Sequence, residues 1–248
     1  MQVLGHRGSR VPGPENTVAS IDAALSAGAD GVEIDVRRSA DGDLVVVHDS
    51  RLPRLGGRPV IRRGTAELAA RGIPRLDEVL DAWAGRGRIV CEIKNQPGQP
   101  DFDAPREQTA QALIELLRKR RLSSGPDRRP EPGQPGVTVS SFDWFAIEAV
   151  RDAALGIPTA FLTLPRVSLA GGLAYVRSAG HTELHAHVSS ALASNAVARV
   201  HEAGVGLVAW TVTSPDQAGR LRDAGVDAII CDDPVEIRRV IDAANPSD

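Results

Sequence analysis

Residues 31–49, GVEIDVRRSADGDLVVVHD, contain two strand-like segments whose arrangement decides the fold prediction. Gly31–Val36 and Leu44–His48 are both rich in apolar residues, and only Arg37–Asp43 separates them. Parallel neighbours need a crossover of about a dozen residues or more, so this short connection allows only an antiparallel pair. Asp41-Gly42 favours a tight hairpin turn. We therefore expect Leu44–His48 to be an antiparallel extension of the strand Gly31–Val36.

Further short apolar segments alternate with stretches of helical periodicity, such as Ser20–Ala27 and Gln108–Arg118. These segments are Gln2–His6, Arg88–Lys94, Val137–Phe142, Thr159–Thr163, Glu183–His187, Gly206–Val212 and Ala228–Cys231. Together with Gly31–Val36 they supply the strands of a TIM (β/α)₈ barrel, an α/β fold of about 250 residues. The chain has 248 residues. We expect one barrel domain, 1–248, with the antiparallel hairpin extension after strand 2.

The composition is that of an ordinary globular domain whose core holds mostly aliphatic side chains. Hydrophobic residues make up 42% of the chain but aromatic residues only 3%, and the formal net charge of −3 argues against a nucleic-acid partner. The N-terminus, MQVLGHRGSR, lacks the pattern of a signal peptide, and no apolar run approaches the ~20 residues of a membrane span. We expect a cytoplasmic protein without stable membrane insertion. Cys91 and Cys231 are expected to be reduced core thiols.

Two segments are predicted to be long loops. Ser50–Pro74 contains Gly56-Gly57 and several arginines, and Ser123–Gly136 is rich in proline and glycine. The arginines of the second loop, with the preceding Arg118–Arg121, could contact anionic lipid. The alternative, which we favour, is a helix that ends in cations favourable to its dipole, followed by a solvated loop.

Three carboxylates are expected to converge at the C-terminal ends of neighbouring strands, where barrel active sites are built. Glu33 and Asp35 share one face of a strand, and Glu92 and Lys94 share a face of the next strand. Two carboxylates on a buried strand are costly unless a cation joins them. Oxygen ligands suit a hard cation, so we expect one divalent metal ion, Mg²⁺ or Ca²⁺. A plain Glu92–Lys94 ion pair is the alternative.

Two histidines and an arginine accompany these carboxylates. His6 and Arg7 end the first strand, and the hairpin is expected to return His48 roughly opposite Asp35. Arg7 and Lys94 can neutralise phosphate charge, while two histidines can divide the duties of general acid and general base. This set of groups predicts a phosphodiesterase.

The same residues, in the same order, resemble the glycerophosphodiester phosphodiesterase family. The resemblance rests on HRG (residues 6–8), PENT (14–17), ExD (33–35), HD (48–49) and ExK (92–94), with SSF (140–142), WTV (210–212) and Asp232 as further landmarks. It implies a TIM barrel that hydrolyses glycerophosphodiesters to glycerol 3-phosphate and an alcohol.

The resemblance also implies a role for individual residues. Glu33, Asp35 and Glu92 would be metal ligands, His6 and His48 the acid–base pair, and Arg7 and Lys94 the phosphate ligands. Glu15 matches a glutamate that faces the site, and Asn16 or Thr17 more plausibly caps the following helix. Trp210 would shape the wall that contacts the glycerol or the alcohol, and core packing is its alternative.

Other functions and residues stay open at this point. A phospholipase D-like hydrolase or lyase acting on lysophospholipids would use the same histidines. A glycosidase would need two carboxyl groups at a defined separation and no Arg–Lys phosphate clamp, and a non-catalytic binding protein would not need every catalytic group. His185 and His187 share a strand face and could face either the site or the helices, whereas His181 and His201 are expected on the surface or on helices. The alcohol headgroup of the small-molecule substrate and the oligomeric state are not determined.

Overall fold

The structure, a computed structural model, describes residues 1–9, 13–53, 56–122 and 136–243. Its strands are β1 (Gln2–His6), β2 (Gly31–Arg38), β3 (Leu44–Val46), β4 (Arg88–Ile93), β5 (Gly136–Ser141), β6 (Thr159–Thr163), β7 (Glu183–His187), β8 (Gly206–Val212) and β9 (Ala228–Cys231). Its helices are α1 (Val18–Ser26), α2 (Thr65–Ala69), α3 (Leu76–Trp83), α4 (Gln108–Lys119), α5 (Trp144–Asp152), α6 (Leu169–Ala179), α7 (Val188–Ala191), α8 (Ala196–Glu202), α9 (Pro215–Ala224) and α10 (Pro234–Ala243). The predicted strands agree with the observed ones to within two residues at each end.

All strands except β3 are parallel and form a closed ring, because β1 pairs with both β9 and β2. Helices lie between successive strands, so the TIM barrel prediction is confirmed. Inside the ring, aliphatic side chains form one apolar layer: Leu4, Val90, Val208, Ala228 and Ile230. Two larger clusters lie between the ring and the helices. Among the described helices, none is long and apolar enough to cross a membrane.

The hairpin extension is also confirmed, with a register one residue away from the expected one. β3 is antiparallel to β2, with Val36 opposite Val46. The amide of Val47 donates to the carbonyl of Asp35 at 2.9 Å, so Val47 and not His48 lies opposite Asp35. The turn is closed by Ser39, whose amide donates to Asp43 O at 2.8 Å.

The segment Ser50–Pro74 is not the irregular loop that was expected. It contains a 3₁₀ turn at Val60–Arg62 and the helix α2. Its apolar residues Leu52, Val60, Leu68 and Ile73 form a small buried cluster with Val45 and Val47 of the hairpin. This cluster supports the segment that carries His48.

The second predicted loop falls largely outside the described residues, which omit 123–135. Its possible contact with lipid therefore stays a prediction. Of the preceding basic run, Arg120 pairs with Asp77 and Asp81 on α3, and Arg118 donates to Ala153 O. These contacts fit the alternative in which the run closes a helix.

Both cysteines are buried free thiols, as expected, and burial raises the pKa of each to about 12. His181, expected on the surface or on a helix, is instead buried, and its Nδ1 lies 2.8 Å from Thr159 Oγ1. His201 lies on α8 as expected and pairs with Asp227.

The N-terminal end of the barrel interior is closed by an ion pair. Arg88 Nη2 contacts Glu183 Oε2, and the fully buried His185 lies 2.8 Å from the same oxygen through Nε2. His185 therefore faces the interior but does not line the cavity at the barrel mouth. Burial alone would raise the pKa of Glu183, but Arg88 and His185 outweigh it and lower the pKa to about 2.

Replacing Glu183 with glutamine is expected to destabilise the fold by about 3 kcal/mol at neutral pH, since it leaves Arg88 without its carboxylate. The folded-state pKa of Glu183 is depressed, so its contribution is present above its ordinary pKa and is lost as pH falls toward 2. Denaturant unfolding of wild type and Glu183→Gln should differ by a constant amount above about pH 5 and converge below it. Glu202→Gln, at an exposed position of α8, is the control. A difference that does not change with pH would contradict this explanation.

Candidate active site

Three buried carboxylates lie together at the C-terminal ends of β2 and β4. Asp35 and Glu92 are direct neighbours in the ladder, and Glu33 lies two residues earlier on the same face. The side chains offer oxygens that all lie within 4.8 Å of one another. The expected convergence is therefore present.

Two cations compensate part of this charge. Lys94 Nζ lies 2.8 Å from Asp35 Oδ1 and 2.5 Å from Glu92 Oε1, and Arg7 Nε lies 3.1 Å from Asp35 Oδ2. Burial would raise the pKa of Asp35, but Lys94 and Arg7 outweigh it and hold that pKa below its ordinary value. Burial would likewise lower the pKa of Lys94, and Glu92 and Asp35 raise it instead. Lys94 bridges two of the three carboxylates, so its contacts go beyond the simple Glu92–Lys94 ion pair of the alternative.

Of the three carboxylates, Glu33 receives the least charge compensation from Lys94 and Arg7. Burial raises its pKa well above the ordinary value, and the neighbouring Asp35 and Glu92 raise it further. Its Oε2 accepts from the backbone amide of Arg7 at 3.1 Å, but within the described residues its buried Oε1 has no hydrogen-bond partner. One divalent cation and one phosphodiester anion would bring the three carboxylates, Arg7 and Lys94 to charge balance. The donor set therefore fits a hard divalent metal ion.

His6 ends β1 and His48 follows β3, and each is held by an aspartate. His6 Nδ1 lies 2.7 Å from Asp232 Oδ1, which follows β9, and His48 Nδ1 lies 2.7 Å from Asp49 Oδ1. The Nε2 of His6 lies 4.0 Å from Glu33 Oε2. Because an aspartate engages Nδ1 in both rings, proton exchange with a bound molecule would have to go through Nε2.

The turn after β1 positions Arg7, the residue expected to bind phosphate. Arg7 and Gly8 both have positive φ, and a Cβ on Gly8 would lie 2.6 Å from the backbone of Ser20 on α1. Glu15 Oε1 accepts from Arg7 Nη1 at 2.6 Å, so Glu15 contacts Arg7 and does not line the cavity. Thr17 caps α1, as one alternative expected. Asn16 has a different role, because its side chain donates to Asp35 Oδ2 at 2.7 Å and accepts from the Asp35 amide.

The candidate catalytic residues line a cavity of about 240 Å³, and its two walls differ in polarity. One wall is polar and carries His6, Arg7, Glu33, His48, Glu92 and Lys94. The opposite wall is apolar and carries Phe142, Leu162, Leu164, Trp210 and Ile230. Trp210 is fixed by a hydrogen bond from Nε1 to His185 O at 3.1 Å. Its ring also packs edge-to-face against Phe142, with the ring centroids 5.3 Å apart. It therefore forms part of the cavity wall and does not merely fill the core.

A sequence profile of the Glycerophosphoryl diester phosphodiesterase family matches residues 6–236. The chain belongs to this family. The match includes both histidines and all three carboxylates, and it confirms the family resemblance and glycerophosphodiester hydrolysis as its activity.

Known phosphodiesterases resemble the chain over nearly their full length. The enzyme of Caldanaerobacter subterraneus subsp. tengcongensis is 29% identical, with 94% of each chain covered. The crystal structure of glycerophosphodiester phosphodiesterase from Thermotoga maritima is 26% identical with a TM-score of 0.76, covering 97% of this chain and 98% of that one. An Oleispira antarctica phosphodiesterase in complex with the product sn-glycerol-3-phosphate is 28% identical with a TM-score of 0.80, covering 98% and 97%.

Sequence reasoning missed several groups that hold the predicted site residues of this phosphodiesterase. Asp232 was noted only as a landmark, Asn16 only as a helix cap, and Arg37 and Asp101 not at all. Arg37 is buried and donates from Nε to the backbone carbonyl of His48 at 2.8 Å, while its Nη1 pairs with the buried Asp101 at 2.5 Å. A charged residue ending an apolar strand was the available signal for Arg37.

Replacing Arg37 with glutamine is expected to lower kcat about tenfold or more with little change in KM, because His48 loses the contact that fixes its backbone. The adjacent Arg38 pairs with Asp103, which lies on the same loop as Asp101, and does not pair with His48. Arg38→Gln is therefore the matched control. Steady-state kinetics of the single variants and of Arg37→Gln in a His48→Ala background provide the measurement. An additional full loss in the double variant would mean that Arg37 acts other than through His48.

Proposed function

We propose that this phosphodiesterase uses one divalent cation, held by Glu33, Asp35 and Glu92, with His6 and His48 as its acid–base pair. The observation that carries the proposal is a cavity lined by Glu33, Glu92, two aspartate-held histidines, Arg7 and Lys94. The buried Asp35 lies behind this lining, with a carboxylate oxygen within 4.8 Å of oxygens of both glutamates. The substrate is a small glycerophosphodiester, and the products are glycerol 3-phosphate and an alcohol. We propose that residues 1–248 form one domain, since the family match spans most of them.

The cation is proposed to be Mg²⁺ or Ca²⁺, because the candidate ligands are all carboxylate oxygens. When bound, it would neutralise charge on the phosphoryl oxygens and polarise the phosphorus toward attack. Asn16 keeps Asp35 in position for it, and Arg7 and Lys94 add donors to the phosphate.

The two histidines divide the proton transfers of the reaction. One removes a proton through Nε2 from the attacking hydroxyl as the new P–O bond forms. The other donates a proton through Nε2 to the oxygen of the departing alcohol as the old P–O bond breaks, which is the in-line arrangement that phosphoryl transfer prefers. The attacking hydroxyl belongs either to water or to the glycerol 2-position, in which case a cyclic phosphate forms and is hydrolysed afterwards. A substrate without the 2-hydroxyl distinguishes the two routes.

The overall activity is tested by measuring glycerol 3-phosphate release from a panel of glycerophosphodiesters. The same panel with lysophospholipids and aryl glycosides tests the alternatives. Release of glycerol 3-phosphate from glycerophosphodiesters without glycoside cleavage is the expected result, and glycoside cleavage or inactivity toward every glycerophosphodiester would overturn the proposal.

A lysophospholipid is a second candidate substrate, favoured by the apolar wall and by two exposed aromatic residues that closely follow the wall residue Phe142 in the sequence. Leu164 lies in the cavity and is 37% exposed, and Trp144 and Phe145, which follow β5, are 51% and 46% exposed. An acyl chain on the glycerol could run along this wall and contact these side chains. A kcat/KM for lysophosphatidylcholine at least equal to that for glycerophosphocholine would support this substrate.

A further inference from the structure

A second cavity, of about 190 Å³, adjoins the first at the barrel mouth. The two share His48, Lys94 and Gln96 as lining residues, so they meet beside the proposed general acid–base histidine. His6 lines only the first cavity. A phosphodiester has two ester-linked groups that leave the phosphorus in different directions. With the phosphorus beside His48, each of these groups would have its own cavity.

The charges that line the second cavity are largely compensated. Lys94 is paired with Asp35 and Glu92, and Arg37 is paired with Asp101. Asp49 and Arg51 contribute one charge of each sign. The remaining groups are uncharged and capable of hydrogen bonding: Ser50, Gln96 and Gln99.

Gln99 is the side chain best prepared to meet a ligand. Its Oε1 accepts from the hydroxyl of Ser50, which fixes the amide against the segment that follows His48. Within the described residues no bond engages its Nε2, so both N–H groups can donate to a hydroxyl.

We propose that the second cavity binds the leaving alcohol, and that this alcohol is neutral and rich in hydroxyl groups, such as glycerol or inositol. The inference rests on the proposed function and names the substrate class of the same site. Hydroxyl groups match amide donors and acceptors. A quaternary ammonium such as choline prefers the faces of tryptophan, tyrosine or phenylalanine, and none of these is among the described residues that line this cavity. Aromatic residues line the first cavity instead, through Phe142 and Trp210.

The test compares kcat/KM for glycerophosphoglycerol, glycerophosphoinositol, glycerophosphocholine and glycerophosphoethanolamine. Wild type is expected to favour the first two. Gln99→Leu should lower kcat/KM for these two about three- to tenfold and leave the cationic substrates nearly unchanged. Gln99→Glu keeps an acceptor for Ser50 and adds a negative charge, so it should raise the choline-to-glycerol ratio about tenfold. Gln111→Leu, at an exposed position of α4, is the matched control.

A wild-type preference for choline, or Gln99 variants that change all four substrates in parallel, would overturn the inference. It would also be overturned if Trp210→Leu, and not the Gln99 variants, changed headgroup preference, because the leaving alcohol would then lie in the first cavity. Failure of the proposed function is a different result, in which wild type releases glycerol 3-phosphate from none of the four.

Discussion

Replacing either His6 or His48 with alanine is expected to lower kcat by at least 100-fold. General acid and general base groups each contribute about 10²–10⁴-fold, and an alanine supplies neither. Both side chains are partly accessible at the barrel mouth, so the fold should survive their removal. The measurement is kcat on a glycerophosphodiester, together with thermal unfolding to show that each variant is folded.

His201→Ala is the control, since this histidine lies on α8 in contact with Asp227 and outside both cavities near His48. It should retain near-normal turnover. A His48→Ala enzyme with near-normal turnover would rule out the two-histidine scheme. If only one histidine proves essential, a single catalytic histidine would carry the proton transfers.

Removal of divalent cations is expected to abolish activity and to lower the free energy of unfolding. Without a cation the three carboxylates repel one another, and burial with this repulsion is what raises the pKa of Glu33. A ligand that binds only the folded state adds about 2.7 kcal/mol at a concentration 100 times its Kd. Thermal unfolding after chelation and after addition of Mg²⁺ or Ca²⁺ measures the stabilisation by the cation directly and independently of catalysis.

Glu92→Gln should lose most of the activity and most of the stabilisation by cation, because one ligand oxygen no longer carries charge. Glu202→Gln, on the exposed end of α8, should keep both. Chelation that leaves wild-type activity intact, together with a Glu92→Gln variant that behaves like wild type, would overturn the metal site.

The local sequence was sufficient to predict the barrel and the convergence of the three carboxylates. Strands such as β1 and β6 are short apolar runs bounded by polar or turn residues, and burial on both faces of a parallel sheet demands such runs. Glu33 and Asp35 share a face because side chains alternate along a strand. Glu92 joins them because consecutive parallel strands of a barrel are neighbours with their C-terminal ends on one side. The seven residues of Arg37–Asp43 similarly forced an antiparallel β3.

Only the tertiary structure decided the contacts that hold and surround these groups. Asp232 reaches His6 across 226 residues of sequence because closure of the ring places β9 beside β1. Arg37 meets Asp101 because the connection after β4 folds over the hairpin, and the hairpin register itself differs by one residue from the expected one. The second cavity lies between the segment after His48 and the connection that carries Gln96 and Gln99. Periodicity fixes which way a side chain points along its own strand, whereas contacts between distant segments depend on how the loops pack, and no local pattern encodes that packing.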